Sequence, residues 1–317
     1  MAAAAFVAPV IDFAHPAAPA TAAALGRALR EGGVAVLDVA AATVGGRRVA
    51  DDVAAALTAA TALFDGSPLG AAALSLCAAD SPDSVGYWMR ANPAAGTTLH
   101  QFLVKAPPAP GVPFPWPLYP PELETAVRHS YAALCALGAA AVGAVMSDVP
   151  AAATAGGAMP GGASVLFLRS VVSAAGGDDG PVSAGGGGGG GATAAAVAAH
   201  TDTGLVTLLP LTPAVAGLEV RLPDGQWAPV ALPPGAVAAG NDSGTALGDE
   251  CGGSARFLLC FVGEELAGAA AAAGVAAPAT VHRVTAPAAP RRVSMPFQYR
   301  TLQPRSTMMR ATMLAFA

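Results

Sequence analysis

From Ser164 to Tyr299 the chain is cut into short apolar runs separated by turn-forming residues. A sheet can use that pattern, and a bundle of long helices cannot. Ser164 to Leu168, Gly204 to Leu209, Leu218 to Leu222, Gln226 to Val230, Arg256 to Val262 and Arg291 to Tyr299 each read as a strand, with Asp224-Gly225 placed as a hairpin turn. Many short strands with turn signals predict a sandwich or jelly roll rather than a parallel sheet with helices on both faces.

Two low-complexity segments interrupt the series. Residues 176–198 include seven consecutive glycines, Gly185 to Gly191, and read as a disordered insertion because ordering that backbone would cost too much entropy. The glycine run is no phosphate loop, since no Lys-Ser/Thr follows it and no helix start is offered. The Gly-, Asp- and Ser-rich stretch 240–254 reads as a second insertion.

The first half has another character. Strands are expected at Pro9 to Phe13 and Val34 to Val39, and helices around Thr21 to Arg30 and Ala50 to Phe64. Beyond the Pro-rich stretch Ala106 to Pro121, Leu123, Val127, Tyr131, Leu134 and Leu137 recur at helical spacing, predicting a helix over Glu122 to Met146 opened by Pro120 and Pro121. The expected organisation is a helical N-terminal region, 1–155, a β core, 156–305, and a tail, 306–317.

Composition excludes several classes. A net charge of -5 offers no field for phosphate backbones, so no nucleic-acid partner is expected. Hydrophobic content of 54% is mostly alanine, and the charge-free run Ser130 to Ser147 is short and dilute for a bilayer. No membrane partner is expected. The N-terminus lacks the features of a secretory signal, and Cys77, Cys135, Cys251 and Cys260 form neither a zinc ribbon nor a disulfide framework. The expectation is a cytoplasmic monomer acting on a small-molecule substrate.

Polar chemistry concentrates at His200-Thr201-Asp202, His282 and Arg292-Val293-Ser294. Two imidazoles and a carboxylate are the donor set that holds non-haem Fe(II) with positions left open. On extended backbone His200 and Asp202 share a face, as do Arg292 and Ser294, with Arg291 on the other. His-x-Asp alone decides nothing, since five His and fourteen Asp produce it by chance roughly 0.2 times.

The strings HTDTGLVTLLPL, GLEVRLPDGQWAPVALPPGA, FVGEEL and VHRVTAPAAPRRVSMPFQYR together resemble the core of the plant-type, isopenicillin N synthase-like Fe(II)/2-oxoglutarate-dependent dioxygenases, over most of residues 160–303. PVIDFA, GVAVLD and FDGSP in the first half are similar to that family's N-terminal region. The resemblance implies a double-stranded β-helix (jelly roll) core with flanking helices, and His200, Asp202 and His282 as Fe(II) ligands. It also implies Arg292 and Ser294 on the distal carboxylate of 2-oxoglutarate, O2 as co-substrate, and hydroxylation with release of succinate and CO2.

A planar, always-charged guanidinium suits the dicarboxylate role. Relatives often place a tyrosine on the strand before His-x-Asp, where this chain has Val172 and Ser173, with Arg169 upstream. The long step from Asp202 to His282 is read as loop growth at 240–254 and at the alanine run Ala269 to Ala273. A same-family oxidase that does not use 2-oxoglutarate, a catalytically silent ligand binder, and zinc on the same three ligands remain open alternatives.

Overall fold

The run FLLCFV, Phe257–Val262, is buried at all six positions, which a strand achieves only when both faces are covered. The computed structural model describes residues 5–80, 84–93, 96–105, 114–147, 164–173, 195–212, 217–233, 255–285 and 291–301. Within them the chain is mainly β with five helices.

The strands in chain order are β1 (Val10–Asp12), β2 (Val34–Asp38), β3 (Thr43–Val44), β4 (Arg47–Arg48), β5 (Gly86–Asn92), β6 (Thr97–Lys105), β7 (Val165–Ser173) and β8 (Ala195–His200). They continue with β9 (Val206–Pro210), β10 (Leu218–Arg221), β11 (Trp227–Pro229), β12 (Phe257–Val262), β13 (His282–Thr285), β14 (Arg291–Ser294) and β15 (Phe297–Tyr299). The helices are α1 (Pro19–Gly32), α2 (Val49–Leu63), α3 (Pro68–Ser75), α4 (Leu123–Val145) and α5 (Glu264–Ala272).

The large sheet runs β1-β2-β12-β9-β15-β7-β6-β5, with β14 also on β7, and the small one runs β11-β10-β13-β8. Only β1 and β2 pair in parallel; the other ladders of both sheets are antiparallel. Two facing sheets of this kind form the jelly roll that the strand pattern predicts.

Alternation along β12 shows how the layers close. Leu258, Cys260 and Val262 face the helices, in one cluster with Leu25 and Leu29 of α1, Leu57 and Leu63 of α2, and Leu134 and Leu137 of α4. Phe257, Leu259 and Phe261 face the small sheet, against Leu218, Val220 and Val284. Fully burying one such side chain contributes about 1.5–3 kcal/mol, so both layers stabilise the same strand.

Helix α4 begins at Leu123, with Glu122 as its N-cap and Pro120 and Pro121 just before it. Its apolar face presents Leu123, Val127, Leu134 and Leu137, and Tyr131 donates from its hydroxyl to the Ser164 carbonyl at 2.7 Å, tying the helix to the start of β7. Gly138 lets Tyr299 of β15 approach: a Cβ there would stand 2.8 Å from the tyrosine Cγ.

Several sequence expectations need correction. Arg291 to Tyr299 is two strands, because Met295-Pro296 breaks the ladder and Pro296 has no N–H to give. The alanine run Ala269 to Ala273 is not loop growth: it lies in α5 and its C-cap, a helix opened by Glu264 and Glu265. Alanine is the best intrinsic helix former, and the acidic first turn suits the helix dipole. The insertions read at 176–198 and 240–254 lie outside the described residues except 195–198, which belong to β8. The tail 306–317 lies outside them entirely. No described helix is long and apolar enough to cross a membrane.

Candidate metal centre

His200 closes β8 and His282 opens β13, and in the antiparallel register of these strands the two residues stand directly opposite each other. Opposed residues on neighbouring strands have Cβ atoms about 4.5–5.5 Å apart. The imidazole centroids lie 4.3 Å apart accordingly. Asp202 follows β8 by two residues. Its carbonyl accepts from the Glu264 N–H at 2.8 Å, and Gly263 packs so closely beneath this turn that a Cβ there would be 2.1 Å from the Gly204 oxygen. Thr201, between the two ligand candidates, points away and donates to the Glu264 carboxylate.

One donor atom from each of His200, Asp202 and His282 lies within 4.8 Å of the others. Nε2 of His200 is 3.7 Å from Asp202 Oδ1, and Nε2 of His282 is 3.9 Å from Oδ2. These separations are too long for hydrogen bonds. Metal–donor bonds of about 2.0–2.2 Å allow two donors to stand up to ~4 Å apart across one ion, so a cation fits the set.

Each imidazole is fixed from behind. Nδ1 of His200 meets the Ala198 carbonyl at 2.9 Å and Nδ1 of His282 meets the Thr280 carbonyl at 3.1 Å. A carbonyl only accepts, so Nδ1 carries the proton in both rings and each Nε2 lone pair faces inward. Phe261 lies flat on His282, with centroids 4.8 Å apart and planes 14° apart.

Two residues that sequence reasoning missed complete the carboxylate's support. Thr207 donates to Asp202 Oδ2 at 2.5 Å and Gln298 donates to Oδ1 at 2.7 Å. They are opposite each other in the β9/β15 ladder and both are buried. The signal was present in the sequence: each is a polar residue inside an otherwise apolar strand, where burial demands a partner.

Electrostatics favour the ligand-competent forms. Burial alone would push the Asp202 carboxyl up, but His282, His200, the Thr207 hydroxyl and Arg169 outweigh it and hold the group below its ordinary range. Burial pushes His200 down, with further repulsion from His282 and Arg169, against attraction from Asp202. A folded-state imidazole below its unfolded value of 6.5 means that the unfolded chain binds more protons, so this stability is present above 6.5 and lost as pH falls. Metal-free protein is expected to lose stability on acidification below about pH 6.5, and His200→Asn to flatten that part of the curve in urea titrations at stepped pH.

Arg292 and Ser294 are buried on β14, opposite Val171 and Arg169 of β7, while Gln298 on β15 is opposite Val165. Positions 165, 169 and 171 share one face of β7, so Arg292, Ser294 and the Gln298 that touches Asp202 share it too. Arg291 faces the other way, its guanidinium against Gly66. Burial, reinforced by repulsion from Arg169, lowers Arg292 to about 10, which leaves it charged at neutral pH. On β7 it is Ser173 that lies on the site's face, and Val172 lies on the other, opposite Arg291.

On β5, Tyr87 turns toward the helices. Its hydroxyl meets His100 Nδ1 at 2.7 Å, while Trp88 and Arg90 share the site's face by alternation. Cys260 is fully buried and its thiol is pushed up to about 12 by that burial, the role of a small hydrophobe.

The sequence matches no protein-family model and no curated protein. Solved structures do match. A Caulobacter crescentus protein assigned to the 2OG-Fe(II) oxygenase family superposes with a TM-score of 0.62 at 23% identity, over 92% of this chain and 86% of that one. Arabidopsis thaliana AtDAO1, a dioxygenase for auxin oxidation seen with 2-oxoglutarate, gives 0.60 at 14% identity, over 93% of each chain. A full-length Neurospora crassa protein in complex with alpha-KG and thymine gives 0.56 at 17% identity, over 93% of this chain and 86% of that one. At such identities the shared property is architecture, and the chain has the fold of the 2OG-Fe(II) oxygenases.

Proposed function

We propose that the protein is an Fe(II)- and 2-oxoglutarate-dependent dioxygenase that hydroxylates a small organic molecule and releases succinate and CO2. The observation that carries this reading is the inward-facing His200, Asp202 and His282 donor set on opposed strands, in the fold of the 2OG-Fe(II) oxygenases. Fe(II) held there supplies one chemistry, the activation of O2 coupled to oxidative decarboxylation of 2-oxoglutarate.

The chain's own residues do the rest. Thr207 and Gln298 fix the plane of the Asp202 carboxylate, and two backbone carbonyls fix the imidazoles. Arg292, buried and charged, meets the distal carboxylate of 2-oxoglutarate with its two-pronged edge, and Ser294 adds a hydroxyl donor. Val165, Phe167 and Leu103 form an apolar wall on the same face of the sheet, which keeps water from the reacting carbon and holds the substrate's C–H bond in place. The neighbour complexes with thymine and 2-oxoglutarate support a small substrate and this co-substrate.

With Fe(II) present, O2-dependent conversion of 2-oxoglutarate to equal amounts of succinate and CO2 is expected. Its slow substrate-free form should accelerate with an accepted substrate. Protein that binds Fe(II) stoichiometrically yet releases no succinate under O2 would contradict the reading and favour a silent binder.

A further inference from the structure

Arg169 is a cation that the proposed chemistry does not use. It sits on β7 opposite Ser294 of β14 on one side and Gln101 of β6 on the other, on the face that carries Arg292 and Gln298. Its Nε donates to Gln101 Oε1 at 2.9 Å and its guanidinium stacks 4.3 Å over the Phe167 ring, so its orientation is set from two sides. With Nε committed, the terminal nitrogens present the two-pronged end of the guanidinium. Among the described residues no carboxylate lies within ion-pair distance of it. Burial lowers it to about 10, with attraction from Asp202 opposing and repulsion from Arg300 adding, so it remains charged.

A divalent metal, Asp202, a dicarboxylate and Arg292 cancel, and half-buried Arg169, with Arg300 close enough to repel it, adds positive charge beside the metal centre. A half-buried guanidinium with its terminal nitrogens turned to the site is placed to take a carboxylate from a ligand. Arg169 lies to the β6 side of the line from Gln298 to Arg292, which the co-substrate would occupy. Phe167, Leu103 and Val165, with Val85 packed on them, form apolar surface next to it.

We infer that Arg169 is the anchor for an acidic group on the primary substrate, so the substrate class is a small carboxylic acid with an apolar body. This rests on the dioxygenase reading, and it assigns to β7 a second carboxylate site distinct from that of Arg292 and Ser294.

The test uses full-length protein loaded anaerobically with Fe(II) and 2-oxoglutarate, titrated calorimetrically with benzoate, phenylacetate and hexanoate, each against its methyl ester. Wild type is expected to bind at least one acid about tenfold or more tightly than its ester, the effect of one charge-assisted contact. Arg169→Met should remove that preference while 2-oxoglutarate binds as before, and Arg169→Lys should keep part of it. Metal-free Arg169→Met should melt close to wild type, since methionine keeps an apolar stem against Phe167 and the repulsion between Arg169 and Arg292 has gone; this separates loss of binding from loss of fold.

The inference is overturned if no acid outbinds its ester in wild type, or if Arg169→Met weakens 2-oxoglutarate instead. A wild type that binds no 2-oxoglutarate in the presence of Fe(II) defeats the dioxygenase reading, whereas the role of Arg169 as an anion anchor would survive in an acid preference that the variant abolishes.

Discussion

His282→Ala is expected to abolish stoichiometric Fe(II) binding while leaving a folded chain. Its Nε2 is one of three inward-facing donors, and its Nδ1 is already committed to the Thr280 carbonyl. No neighbour substitutes for it: Phe261, stacked on the ring, offers no lone pair. Altering groups that merely orient metal ligands costs about 10–100-fold in affinity, so losing a ligand should cost at least ~1000-fold. The fold should survive because β13 keeps its ladder bonds to β10 and β8 at the backbone, and the truncation removes one side chain at the rim of the cluster around Phe261. Anaerobic Fe(II) titration with circular dichroism and melting of the same samples checks both halves. Unchanged iron binding by the variant would remove His282 from the proposed site.

Arg292→Leu is expected to leave Fe(II) binding intact and to weaken 2-oxoglutarate by about 100-fold or more. Two hydrogen bonds to a charged carboxylate contribute roughly 1.5 kcal/mol or more each, and tenfold in affinity corresponds to about 1.4 kcal/mol. Arg292→Lys should recover only part, because an ammonium keeps the charge and loses the planar pair of donors. Arg291→Leu is the control: its guanidinium lies on the other face against Gly66, and 2-oxoglutarate affinity should stay within about twofold. Calorimetry on metal-loaded protein gives these affinities. Equal losses in the Arg291 and Arg292 variants would mean that strand alternation had misassigned the anchor.

The candidate donor set His200, Asp202 and His282 was legible because histidine is scarce in this chain and His200 and Asp202 sit at period-2 spacing. Order along the chain did not show how close His200 and His282 would be; the β8/β13 register did. β8 itself was hidden, since Ala195 to Ala199 is mostly alanine, a poor strand former, and only pairing with β13 makes it a strand.

β5 and β6 were hidden for another reason. β6 carries Thr97 and Gln101 on the site's face and Thr98 and His100 toward the helices, so no apolar alternation survives in its first half. Polar residues on both faces, not on one, hid the strand. α5 was misread because an alanine run in a chain rich in alanine looks like low complexity, although the first-turn acids Glu264 and Glu265 mark a helix start. Thr207 and Gln298 needed the β9/β15 register before their shared hold on Asp202 could be seen.

In the proposed enzyme one site holds a metal on His200, Asp202 and His282 and a dicarboxylate beside it. Anaerobic addition of Fe(II) and then 2-oxoglutarate, followed by the visible charge-transfer absorption of a keto acid chelated to iron, tests it most directly. A band that saturates at one Fe(II) and one 2-oxoglutarate per chain, and is absent from His282→Ala, is expected. In Arg292→Leu it should require about 100-fold more 2-oxoglutarate. A folded wild type that gives no band, or a band of equal strength in His282→Ala, would contradict it.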